Sequence, residues 1–164
     1  MSTEKAGSLD YIPYLRSLIG PRPVNLVGAA GAVFNPAGEL LLQRKVGAER
    51  WTVPGGICEL GECFEDTLRR ELLEETSLVV HTADLLAVVS GEQTFHRLHN
   101  GHEFYMYTAL FRVTAWSGTP TPDGLEGEEL RFFAPHELPP LAGPVGRRLV
   151  DLWLGDLWLA ELPD

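Results

Sequence analysis

Glu71, Glu74 and Glu75 are the residues in this chain whose types and spacing could do chemistry together. Glu71 and Glu75 are four positions apart, and Glu71 and Glu74 are three apart, so on a helix they are neighbours on the surface. The patch would fall near the helix C-terminus, the negative end of the dipole, where anions are disfavoured. Such a cluster invites a counter-charge. A hard divalent cation with oxygen ligands supplies one, and Mg2+ is the usual choice beside substrate phosphates. Arg70, next to Glu71, could hold one carboxylate as a bidentate partner. The plainer alternative is the solvated acidic face of an ordinary Glu-rich helix.

The elements that position these groups are legible. Pro54-Gly55-Gly56 is turn chemistry, since Pro fixes one dihedral and the glycines free the others. From Cys63 to Thr76 there is no Gly or Pro, and Leu, Glu and Arg dominate; all are good helix formers. Phe64, Leu68 and Leu72 recur at a spacing of four, which predicts a stripe facing a core.

The stretch from Gly56 to Leu78, GICELGECFEDTLRRELLEETSL, resembles the Nudix box, G-x5-E-x7-R-E-U-x-E-E-x-G-U with U aliphatic. Every fixed position matches except Ser77, which stands where the family has Gly. The resemblance implies a loop-helix-loop that binds Mg2+ or Mn2+, and a substrate in which a nucleoside diphosphate is linked to another group. Water would attack one phosphorus and release two phosphorylated products. By position, Gly56 (through its carbonyl), Glu71, Glu74 and Glu75 match metal ligands. Glu74 also matches a base position, Arg70 the orienting arginine and Glu62 an outer-shell position. Many Nudix enzymes add a glutamate before the last strand; Glu126 is the first candidate, with a catalytic role, and Glu128 the second. The helix-ending Gly takes left-handed dihedrals at no steric cost. Serine at 77 should therefore alter local stability rather than metal binding. A nucleotide-sensing Nudix-like domain without catalysis is the alternative reading, though degenerate boxes lose the glutamates and this one keeps them.

The remaining elements follow from pattern. Ser8 or Asp10 could cap a short helix through Ile19, and Gly20-Pro21-Arg22-Pro23 ends it. Asn25–Phe34 and Glu39–Arg44 read as a hairpin around Asn35-Pro36-Ala37-Gly38. Arg44, at its far end, is a candidate for reaching a substrate phosphate. Trp51–Val53 is a short strand with Trp51 in the core. Leu85–Ser90 is a strand. Phe95–His99 and Glu103–Val113 flank Asn100-Gly101, a two-residue hairpin signal. His96 is a candidate substrate contact, whereas His99 and His102 fall at the hairpin tip in solvent. Glu128–Phe133 is the last strand, followed by a helical turn over Pro135–Leu138. Pro144–Leu154 is a helix that Gly155 should interrupt, ahead of an apolar run with Leu157, Trp158, Leu159 and Leu162.

Strand pairs alternating with a central and a terminal helix predict an α/β fold, an α/β/α sandwich with a mixed sheet, which is also the Nudix fold. One domain over residues 1–164 is expected, with a helical extension at 1–22 and a C-terminal helix at 140–164. The chain has 164 residues, 45% of them hydrophobic, and a net charge of −10. That charge argues against long nucleic acids, whose binding needs many Lys and Arg. It leaves room for a small nucleotide-derivative substrate bridged by metal. Cys58 and Cys63, C-x4-C, suit neither zinc nor a disulfide scaffold and read as small semi-buried thiols. No apolar run is long enough to span a membrane, and no signal-peptide core is seen. A cytoplasmic protein is the default, with the apolar C-terminal run as a candidate homodimer element. A nucleoside triphosphate or a small sugar nucleotide is left as substrate, because the proline and tyrosine that mark other Nudix subfamilies beyond the box are absent.

Overall fold

A computed structural model describes the backbone of residues 11–160 and the side chains of residues 11–155. The elements in order are α1 (Tyr11–Ile19), β1 (Val24–Val33), β2 (Leu40–Lys45), β3 (Trp51–Thr52), β4 (Gly55–Ile57), α2 (Phe64–Thr76), β5 (Val79–Val89), β6 (Phe95–Arg97), β7 (Glu103–Ser117), β8 (Gly127–Phe133) and α3 (Gly143–Ala160), with short 3-10 turns at Glu92–Thr94 and Pro135–Glu137. One sheet runs β4-β1-β7-β5, with β6 on β7; a second runs β3-β2-β8. The first sheet is mixed: β1 and β7 are parallel along ten residue pairs, and the other pairings are antiparallel.

Side chains alternate across a strand, and here the alternation builds two cores. Ala29 and Val33 of β1, Leu41 of β2 and Ala109, Phe111 and Val113 of β7 pack with Leu68 and Leu72 of α2. Ala30 and Ala32, Leu40 and Leu42, and Leu110 face the other way and pack with Trp51, Phe133 and Leu149 of α3. The strands are apolar on both faces because a helix covers each, which makes the α/β/α sandwich.

Four expectations are corrected. β1 and β2 do not form a hairpin. The turn is there, with Asn35 N–H donating to the Glu39 carbonyl at 3.1 Å and a single bridge between Phe34 and Leu40. Beyond that bridge the strands part into different sheets, β1 beside β4 and β7, β2 beside β3 and β8. The second concerns α3, which runs through Gly155 to Ala160; a lone Gly weakens a helix without ending one. Third, Phe64 is 40% exposed, so it drops out of the buried face of α2, which is Leu68 and Leu72 with Thr67, Glu75 and Thr76. Fourth, Cys58 is buried but Cys63 is exposed, at the N-cap of α2. The candidate caps Ser8 and Asp10, and the apolar side chains of Leu157, Trp158, Leu159 and Leu162, lie outside the described residues. Among the described residues, no helix is long and apolar enough to cross a membrane.

Candidate active site

The cleft is built where β4 meets β1. Gly56 pairs with Ala29, and Gly28 sits beside it opposite Ile57. A Cβ on Gly28 would collide with the Gly56 carbonyl and with Met106, so glycine is what allows β4 to lie this close. The α2 helix then brings its C-terminal half to the same place. The Glu71 carboxylate rests against Gly56, in the space a side chain on Gly56 would fill.

Arg70 ties the group together. Its Nε donates to Glu62 Oε1 at 2.7 Å, and its Nη2 donates to Glu62 Oε2 at 2.9 Å and to the Ile57 carbonyl at 3.0 Å. Its Nη1 reaches Glu71 at 2.7 Å and Glu74 at 3.3 Å. The fork on Glu62, helped by the Glu59 N–H and the Thr67 hydroxyl, holds the Glu62 carboxyl down at about 2. The same contacts raise the Arg70 pKa further still. Burial pushes Glu71 up from the usual carboxylate range, with Arg70 opposing.

Glu75 is 3% exposed. It accepts from Gln43 Nε2 at 2.7 Å, from the Gly55 N–H at 2.9 Å and from Lys45 Nζ at 3.3 Å. Burial nonetheless leaves its carboxyl raised. The period of two explains the partners. Gln43 and Lys45 continue the Leu41 face of β2, which looks at α2, while Arg44 points the other way. Arg44 binds Glu128 at 2.7 Å and Glu129 at 3.0 Å, and its guanidinium lies 6.0 Å from the Trp51 ring centroid. A β-bulge between Arg44 and Lys45 marks this end of the pairing with β8. Burial lowers the Lys45 pKa, but Glu75 and Glu126 outweigh it, and the net shift is upward.

Glu71, Glu74, Glu75, Glu126, Arg70 and Lys45 thus line one cleft of about 420 Å3, with Gly56 at its base. Glu126 reaches Lys45 at 3.7 Å, whereas Glu128 is taken up by Arg44 outside the cleft. A second, mainly apolar pocket of about 220 Å3 adjoins the cleft and shares Lys45, Gly55 and Gly56 with it; Ala29, Met106, Thr108 and His96 line it. His96 stacks on Phe104 with centroids 5.0 Å apart, and burial lowers its pKa. Gln43 and Lys45 were not singled out as site residues from sequence. The signal was present, in a glutamine and a lysine two apart at the end of an apolar strand.

The donors suit a hard cation. The Gly56 carbonyl and three carboxylates offer oxygen alone, and Mg2+ and Ca2+ prefer oxygen. Among the described residues no three acidic, His or Cys groups already converge on one point. Arg70 and Lys45 now supply the positive charge, against Glu71 and Glu74 and against Glu75 respectively.

The NUDIX domain family model matches residues 24–154. The chain is 34% identical over 128 residues to the oxidized purine nucleoside triphosphate hydrolase of Mus musculus, covering 76% of this chain and 70% of that protein. It is 32% identical over 105 residues to the ADP-ribose pyrophosphatase of Methanocaldococcus jannaschii, covering 63% and 58%. The crystal structure of a MutT NUDIX hydrolase from Burkholderia pseudomallei superimposes with a TM-score of 0.63 at 27% identity, covering 80% of this chain and 97% of that one. Two further relatives, from Bacillus subtilis and Streptomyces ambofaciens, are matched over only 55% and 43% of their length, so the chain spans about half of each. The matched region holds both sheets and the box with its carboxylates, and the chain belongs to the NUDIX domain family.

Proposed function

We propose that this protein is a pyrophosphohydrolase, dependent on Mg2+ or Mn2+, that cleaves a nucleoside diphosphate linked to another group. The observation that carries the reading is the Glu71 carboxylate seated on Gly56, beside Glu74, Glu75 and Glu126, in a cleft that opens next to an apolar pocket. The cleft suits a diphosphate and its cation; the apolar pocket, with Met106 and His96, suits a nucleobase. In this reading Gly56, Glu71, Glu74 and Glu75 hold the ion. When bound, it would polarise phosphoryl oxygens and lower the pKa of water. Lys45 faces a phosphate once the ion has taken over part of the charge on Glu75. Arg70, anchored on Glu62, orients Glu71.

The attacking water forms a new P–O bond, one bridging P–O bond of the diphosphate breaks, and the water gives up a proton. Glu126, or failing it Glu74, with side chains 70% and 59% exposed, is open to the solvent side of the cleft and accepts it. Names of relatives include both a nucleoside triphosphate hydrolase and an ADP-ribose pyrophosphatase, so the proposal covers nucleoside triphosphates and sugar nucleotides.

The test is hydrolysis across a panel of nucleoside triphosphates, ADP-ribose, sugar nucleotides and dinucleoside polyphosphates, with Mg2+ and with chelator. Chelator-sensitive release of a phosphorylated nucleoside is expected. Metal-dependent binding without turnover of any member would favour the sensing domain instead.

A further inference from the structure

We propose that α1, which precedes the family-matched region, is part of the substrate site, and that it selects a nucleoside diphosphate linked to a sugar over a nucleoside triphosphate. The inference rests on the reading above and deepens it. Tyr11, Ile12 and Pro13, the first turn of α1, line the same cleft as Glu71, Glu74 and Glu75. The family model begins at Val24, so this wall lies outside the matched region.

Arg16 ties the far end of this helix to the rest of the domain. Arg16 donates through Nη1 to the Gly20 carbonyl at 3.2 Å and the Arg22 carbonyl at 2.7 Å, and through Nη2 to the Glu103 carbonyl at 2.8 Å. The Glu103 N–H donates in turn to the Pro21 carbonyl at 3.2 Å. Arg16 therefore fixes the end of α1 to the first residue of β7, the strand that carries Met106 and Thr108 into the apolar pocket. No α1 residue is buried, so packing alone holds the helix weakly and the arginine contacts matter more.

The chemistry of the wall indicates the linked group. A phenol, a branched aliphatic and a proline ring offer a face for packing and one hydroxyl. Glu59 lines the same cleft, 60% exposed. It offers an acceptor for sugar hydroxyls and would repel a terminal phosphate dianion. The nucleoside then lies in the apolar pocket, the diphosphate at Gly56 and Lys45, and the sugar against Tyr11.

The test compares wild type, Tyr11→Ala, Arg16→Gln and Arg16→Lys on a nucleoside diphosphate sugar and on the matching nucleoside triphosphate. Tyr11→Ala should raise KM for the sugar nucleotide about 3- to 10-fold, the loss expected for one aromatic contact, and should raise the triphosphate KM by less. Arg16→Gln should act in the same direction and Arg16→Lys should recover part of the loss, because Arg16 is a positioning residue. Binding of the α,β-methylene analogues with Ca2+ gives the same comparison without turnover. Equal effects on both substrates, or none, overturn the role of α1 while leaving the hydrolase reading in place. Wild-type preference for the triphosphate overturns the sugar assignment. Absence of metal-dependent binding and turnover for every nucleotide defeats the hydrolase reading, and this inference falls with it.

Discussion

The Glu71 carboxylate occupies the space in which a side chain on Gly56 would lie; a methyl group there would collide with its Cδ and both of its oxygens. Gly56→Ala should therefore act through Glu71. Overpacking of this kind costs about 1–3 kcal/mol. If Glu71 is an ion ligand as proposed, displacing it is expected to weaken Mn2+ binding by about 10- to 100-fold, the range for disturbed supporting contacts. Mn2+ titration beside thermal unfolding checks it. A variant with unchanged Mn2+ affinity would remove Glu71 from the donor set.

Arg70 bonds four partners through a planar fork, and lysine cannot reproduce that geometry. Arg70→Lys should keep the charge, lose the bidentate contact with Glu62 and free Glu71. Turnover is expected to fall about 10- to 100-fold with KM little changed. Steady-state kinetics decide, and full activity would show that charge alone suffices.

From the sequence, Glu75 reads as one more surface carboxylate, and a Gln there would be harmless to the fold. The structure corrects this, because Glu75 is 3% exposed and accepts from three donors. Glu75→Gln brings an amide NH2 among N–H groups, and an unsatisfied buried donor costs about 1–3 kcal/mol. The Gln43 Oε1 has no partner, so a turned Gln43 amide could accept from the new one and soften the loss. Thermal unfolding of Glu75→Gln and of the double variant with Gln43→Leu measures this. Additive losses would show that Gln43 gives no relief.

Glu62 sets a pH dependence with a definite sign. Its folded pKa is about 2, below the ordinary 4.5, so it adds stability above about pH 4.5 that is lost as the pH falls toward 2. Glu62→Gln should melt below wild type at pH 7, and the gap should close on acidification. Melting curves from pH 7 to acid test it; a gap independent of pH would mean that ionisation is not what Glu62 contributes.

Ser77 takes φ 61° and ψ 17°, the left-handed conformation, and its N–H caps the Leu73 carbonyl. A non-glycine residue there costs on the order of 1 kcal/mol. Ser77 is exposed, so Ser77→Gly should raise the melting temperature by about 2–4 °C and leave Mn2+ affinity alone. A lower melting temperature would show that the serine side chain contributes elsewhere.

How much was legible depended on the range of the signal. The box helix and its left-handed end are written locally and are found, whereas the two-residue loop read at Asn100-Gly101 is a three-residue one, with Leu98 N–H donating to the His102 carbonyl at 2.9 Å. The parting of β1 and β2 was not readable, because Asn35-Pro36-Ala37-Gly38 encodes a turn and says nothing of which strands the flanks will join. Arg44 and Lys45 differ by one position, and one position changes the face. Only knowing that the Leu41 face meets α2 shows that Lys45 enters the cleft and Arg44 leaves it. Glu75 was hidden for a related reason, since helix spacing gives its neighbours on α2 but not the glutamine that approaches from β2.

The parallel pairing of β1 with β7, from Val24 opposite Phe104 to Val33 opposite Val113, governs the order of assembly. Contacts so distant along the chain close late and slow folding. During synthesis the box would leave the ribosome well before the strand that completes the sheet beneath it. The carboxylate cluster would then spend that interval without its scaffold.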